Sequence, residues 1–195
     1  MVDEILAVVS PYALGRGECT LASALARECG ARGETVALAE SCTAGLASAM
    51  LCEVAGASAW YRGGVVSYSN ELKSALLGVP APTIERHGAV SAETAEAMAR
   101  GAIERLGASS AASITGVAGP SGGSDAKPVG TVFLATARRI GGDTELHARR
   151  FLFPGDRVAI RDRAAKAAIG ALRFHLRGEC RTPLLWQERS AESNR

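Results

Sequence analysis

The sequence predicts an α/β protein: a single three-layer domain with a mixed β-sheet covered by helices. Short strand-like apolar runs alternate with stretches whose apolar residues fall at helical spacing, which predicts helices laid between successive strands. Two adjacent strand-like runs near the C-terminal side are separated by Gly141-Gly142-Asp143, a hairpin signal that adds antiparallel strands to the sheet. The chain has 195 residues, 47% of them apolar, which suits one sizeable core and is too short for two ordinary domains plus a linker.

Taken in order, residues 1–18 carry Pro11 and Gly15-Arg16-Gly17, break any pattern and predict a variable lead-in. Leu21, Ala22, Leu25 and Ala26 set a helix over Glu18 to Cys29, with Gly30 as its stop. The run Thr35-Val36-Ala37-Leu38-Ala39 is a strand that ends at Glu40, and Leu46, Met50, Leu51 and Val54 mark the helix that follows. After the break at Gly56-Ala57-Ser58, Gly63 to Ser69 forms a second strand. Asn70 is an N-cap for a short helix through Leu77, with Gly78 just past its end. Thr83 to Arg86 supplies one helical turn, and Ser91 caps a helix that runs through Leu106 to Gly107. Ser109 to Ile114 is a third strand ending in the glycine-rich turn from Thr115 to Ser124. Val129 to Ala137 and Glu145 to Phe153 complete the sheet. Pro154-Gly155-Asp156 opens a long helix whose stripe is Val158, Ile160, Ala164, Ala168, Ile169, Leu172 and Leu176. Residues 178–195 form a polar tail, in which Leu184-Leu185-Trp186 has the character of a docking segment.

Composition narrows the function. A net charge of +2 with scattered basic residues and no aromatic interleaving gives nucleic-acid binding no support. No stretch approaches the ~20 consecutive apolar residues of a membrane span, and Asp3 and Glu4 stand where a signal peptide would be basic. A cytoplasmic protein without a membrane partner is expected. The five cysteines are odd in number and contain no C-x-x-C pair, and the three histidines are far apart, so neither a disulfide framework nor a metal or cofactor is expected.

Polar groups gather at the strand ends: Ser41 with Thr43, Tyr68 with Ser69 and Asn70, and Thr115 with its glycine-rich turn. If those strands are neighbours, the groups meet in one crevice at the carboxyl ends of the strands, where α/β proteins bind ligands. Lys73, three residues beyond Asn70, shares a face of the helix start and can lean toward the same crevice. A serine activated by a neutral lysine is a known nucleophile and base pair, provided that the lysine pKa falls by roughly 3 units from ~10.4. Each residue also has a plainer reading. Ser41 or Thr43 can be an N-cap, Lys73 a solvated helix residue and the glycine-rich turn a flexible connection. Arg157 either clamps a phosphate or caps surface charge, and His87 is either a general base or a structural loop residue.

Six segments, Ala39-Glu40-Ser41-Cys42-Thr43-Ala44-Gly45, Arg62 to Lys73, His87-Gly88-Ala89-Val90-Ser91, Thr115-Gly116-Val117-Ala118-Gly119-Pro120, Lys127 to Val132 and Phe153-Pro154-Gly155-Asp156-Arg157, resemble the CinA C-terminal domain family in order and spacing. The resemblance runs from about residue 19 to 177. It implies a nicotinamide-nucleotide amidase of the PncC type, which hydrolyses the carboxamide of nicotinamide mononucleotide to nicotinate mononucleotide and ammonia. It further implies Ser41 as nucleophile, activated by Lys73 with Tyr68, and Thr43, Gly45, Asn70, Thr115, Gly116, Gly119 and Arg157 as substrate-binding residues. A covalent acyl-serine intermediate without a metal follows, with the small-molecule substrate as the partner and a homo-oligomer left open. Ala44 departs from the family pattern, in which a second glycine is usual. The larger nucleotide-binding domain often fused ahead of this one is expected to be absent, so its functions are not transferred. A noncatalytic nucleotide-binding or docking module, or an amidase for another carboxamide, is the alternative.

Overall fold

Alternating helix and strand signals assemble into a five-stranded sheet in the order β2-β1-β3-β4-β5. The computed structural model describes residues 2–188. β1 (Val36–Glu40) lies at the centre, parallel to β2 (Tyr61–Val66) on one side and to β3 (Ser110–Gly116) on the other. β4 (Thr131–Ile140) and β5 (Asp143–Leu152) are antiparallel additions joined by Gly141-Gly142, as the hairpin signal predicts. The sheet is therefore mixed, and helices cover both faces. α2 (Leu21–Arg32), α3 (Leu46–Cys52) and α7 (Arg157–Leu176) lie on one face, and α6 (Ala92–Leu106) on the other. α1 (Val2–Val9), α4 (Asn70–Leu77) and α5 (Ala81–His87) complete the chain.

The period-2 alternation of strand side chains divides the core in two. Val36, Leu38, Ile114, Val132 and Leu134 face α7 and α2, whereas Ala37, Ala39, Ala111, Ala135 and Ala137 face α6. The α6 side is almost all alanine, and Ala95, Ala99 and Ala102 of the helix meet it, so helix and sheet approach closely. α4 approaches α6 just as closely at Gly101, where an added Cβ would lie 1.9 Å from the Leu77 carbonyl oxygen.

Several boundaries differ from the sequence expectation for local reasons. α2 continues past Gly30 and stops at Gly33, the residue in the left-handed conformation (φ 64°), while Thr20 and Ser23 form a reciprocal capping box at its start. Ser69, not Asn70, caps α4, accepting from the Leu72 amide. The lead-in contains α1 and is tied to α7, because Arg173 donates to the carbonyls of Pro11 and Ala13. Val158 is exposed rather than part of the buried stripe, and Ala168 to Leu176 is buried all round because that half of α7 is wrapped on every side. The Leu184-Leu185-Trp186 segment docks: Leu184 joins the core, and Trp186 packs edge-on against Phe153. Residues 189–195 of the expected tail lie outside the described residues. Among the described residues no helix is long and apolar enough to cross a membrane.

Candidate active site

Because β1 lies between β2 and β3, the polar groups at the carboxyl ends of all three strands converge. They line a cavity of about 280 Å³ together with the loop after α5. Ser41, Cys42, Tyr68, Asn70, Lys73, Thr115, Gly116, Gly119 and Arg157 are among the residues that line it. The Thr115 hydroxyl donates to the Ala89 carbonyl at 2.7 Å, which ties the loop after α5 to the end of β3.

The helix after β1 is capped from an unexpected direction. Glu40, fully buried, accepts from the amides of Gly45 (3.0 Å), Ala47 (3.2 Å) and Ser48 (2.8 Å) and from the Ser48 hydroxyl (2.6 Å). A carboxylate set against the first amides of α3 is favoured by the unpaired N–H groups and the helix dipole, and it does the work expected of Ser41 or Thr43. Neither of those residues is the cap. Ser41 is left with its hydroxyl in the cavity, and the Thr43 hydroxyl is buried without a hydrogen-bond partner among the described residues. The turn between them is held from α7, where Arg161 donates to the carbonyls of Cys42 (3.1 Å) and Thr43 (2.7 Å).

Lys73 reaches Ser41 from α4. Its Nζ stands 3.2 Å from Ser41 Oγ, 3.0 Å from the Ser67 carbonyl and 3.5 Å from the Tyr68 carbonyl. The side chain is 1% exposed, and burial lowers its pKa from the usual lysine value. The three polar atoms that it touches are uncharged, and burial outweighs the opposing influence of Cys42 and of the Glu71 charge. A neutral amine fits this set: its two N–H groups serve the carbonyls and its lone pair faces the Ser41 hydroxyl. Cys42 lines the same cavity, but burial pushes its thiol up to about 12, which leaves it protonated near neutrality and a poor nucleophile.

Other expected site residues fall elsewhere. Tyr68 meets Lys73 through its main-chain carbonyl, whereas its phenol, 56% exposed, accepts from Arg157 Nη2 at 3.0 Å. That places the ring at the cavity mouth instead of on the serine and lysine pair. Arg157 also donates to the Gly119 carbonyl at 2.7 Å, so its guanidinium links the Tyr68 phenol to the glycine-rich turn. Thr43 and Gly45 do not line the cavity; Thr43 is buried beneath the turn and Gly45 holds the left-handed start of α3 (φ 90°). Asn70, Thr115, Gly116 and Gly119 do line it. The glycine-rich turn is packed rather than loose: a Cβ at Gly116 would lie 2.8 Å from the Thr131 carbonyl oxygen, and Gly119 has φ 78°. His87 stays outside, its ring 3.2 Å from Glu93.

A model of the CinA C-terminal domain matches residues 18–176. The chain belongs to the CinA C-terminal domain family. A CinA-like protein from Mycolicibacterium vanbaalenii is 53% identical over 146 residues, covering 75% of this chain and 34% of the relative. Another from Geobacter sulfurreducens is 47% identical over 163 residues, covering 84% and 38%. The chain thus spans little more than a third of these curated relatives. Among solved structures, a competence-damaged protein (CinA) superfamily protein from Klebsiella pneumoniae superposes with a TM-score of 0.75 at 40% identity, covering 81% of this chain and 96% of that one. A competence/damage inducible protein, CihA, from Agrobacterium tumefaciens gives 0.74 at 41% identity, covering 80% and 93%.

Within this CinA domain, Ala44 occupies the left-handed region (φ 51°), where glycine is at ease, so its departure from the family pattern is felt as backbone strain. Sequence reasoning also missed Glu40, Arg161 and the Ser67 carbonyl. For Glu40 a signal was present: a lone carboxylate closing an apolar strand just before a helix start. For Arg161, on the far side of the chain, there was none.

Proposed function

We propose that this CinA domain is an amidohydrolase that converts nicotinamide mononucleotide to nicotinate mononucleotide and ammonia through Ser41. The observation that supports this reading best is the 3.2 Å approach of the buried Lys73 amine to the Ser41 hydroxyl. As Ser41 Oγ attacks the carboxamide carbon, Lys73 takes its proton, and the carbonyl oxygen gathers charge against main-chain N–H groups near Gly116, which lines the cavity. Collapse of the tetrahedral species breaks the C–N bond, and Lys73 returns the proton to the departing ammonia. Water, activated by the same amine, then hydrolyses the nicotinoyl ester and restores Ser41. Arg157 at the cavity mouth is sited to meet the substrate phosphate, at the expense of its bond to the Tyr68 phenol.

The test is ammonia release from nicotinamide mononucleotide, its riboside and free nicotinamide. The mononucleotide is expected to be turned over well ahead of the other two, and Ser41→Ala is expected to abolish the reaction. Near-normal release by Ser41→Ala would discard the serine mechanism. Equal turnover of the riboside would discard the phosphate contact, and binding without turnover would make the domain a nucleotide-binding module.

A further inference from the structure

We infer a second site, a metal-binding one, formed by Glu145, His147 and Cys180 at the other end of the sheet from Ser41. Glu145 and His147 are two residues apart on β5 and so point to the same face. Cys180 follows α7 and comes back to meet them, so that one ligand atom of each residue lies within 4.8 Å of the others. Strand register sets the separation from the active site. Glu145 pairs with Arg138 of β4, which pairs with Ser110 at the start of β3, whereas the catalytic cavity lies beyond the end of that strand.

The set is supported from behind. His175, buried on α7, places Nε2 at 3.2 Å from Glu145 Oε2 and Nδ1 at 2.8 Å from the Thr136 hydroxyl. A carboxylate only accepts, so the neutral ring puts its hydrogen on Nε2 and takes the threonine hydrogen on Nδ1. The histidine thereby fixes one carboxylate oxygen and leaves the other, Oε1, facing His147 Nε2 at 2.8 Å. Such an outer partner that orients a ligand is the usual backing of metal sites. Arg149 holds the Cys180 main chain by donating to its carbonyl and to that of Thr182.

Sulfur, imidazole and carboxylate together suit a borderline cation of the Zn²⁺ class and not Mg²⁺ or Ca²⁺. Three protein ligands leave a fourth tetrahedral position to water. Ligand atoms around tetrahedral Zn²⁺ stand roughly 3.3–3.8 Å apart, so the 2.8 Å contact between Glu145 Oε1 and His147 Nε2 opens slightly on binding. The ion would staple the segment after α7 to β5.

Zn²⁺ titration of the full chain, followed by calorimetry and thermal melting, tests the site, with Cys52→Ser controlling for the exposed thiol. The expected result is one equivalent bound with a raised Tm, unchanged in Cys52→Ser and weakened at least about tenfold in both Cys180→Ser and His147→Ala. Co²⁺ in place of Zn²⁺ is expected to give a thiolate charge-transfer band that Cys180→Ser removes. No uptake by the parent chain, or affinity unaltered by either Cys180→Ser or His147→Ala, overturns the inference. Since neither residue touches the Ser41 cavity, ammonia release from nicotinamide mononucleotide by these variants serves as the check that they are folded.

Discussion

The Lys73 amine and the Ser41 hydroxyl, 32 positions apart in the chain, meet at 3.2 Å in a pocket where the lysine is almost wholly shielded from water. Burial penalises the ammonium and spares the amine, and so lowers the lysine pKa against the opposing pull of the Glu71 carboxylate.

The pH dependence of the proposed hydrolysis follows with its sign. The active form is neutral Lys73, so kcat/KM for nicotinamide mononucleotide rises with pH through a pKa below the free lysine value of 10.5. Lys73→Met removes that limb and lowers kcat by about three orders of magnitude or more. A pH-rate profile of both proteins checks this.

Stability responds to the same shift. Folding lowers the Lys73 pKa, so between the folded value and 10.5 the unfolded chain binds more protons and stability rises with pH. Below the folded value both states are protonated, and the full penalty of burying the charge remains. The parent chain should therefore gain stability relative to Lys73→Met as pH climbs toward 10.5, measured by urea denaturation across that window.

Glu40→Gln tests the cap of α3. The carboxylate receives four hydrogen bonds, and glutamine would turn an amide donor toward some of those donors. A loss of about 2–4 kcal/mol is expected by urea denaturation, with lowered activity because Ser41 leads into the same turn.

Gly101→Ala connects helix packing to chemistry. The new methyl would sit 1.9 Å from the Leu77 carbonyl oxygen and push α4, which carries Lys73, away from α6. Destabilisation of about 1–3 kcal/mol is expected, together with a fall in kcat larger than any rise in KM, read by steady-state kinetics.

Ala44→Gly works in the opposite direction. Relieving the left-handed alanine offsets the extra freedom that glycine has when unfolded, for a net gain of about 0.5–1 kcal/mol in thermal or urea unfolding.

By itself the sequence determined the succession of elements, many of their stops, and the strand, turn and helix around Ser41, because caps, glycines and apolar periodicity act over a few neighbouring residues. Ser91, Gly78 and Gly107 end or begin helices where local rules place them. The family was equally legible, since its motifs are ordered along the chain. What only the tertiary structure decided is which groups lose their water and to whom they turn. Lys73 reads as a solvated helix residue until α4 closes on α6 at Gly101. Ser41 reads as a cap until Glu40 takes that place, and the Tyr68 phenol turns from Ser41 and Lys73 to Arg157, 89 positions away. Desolvation and hydrogen-bond competition depend on atoms brought from distant segments, and no local pattern carries that information.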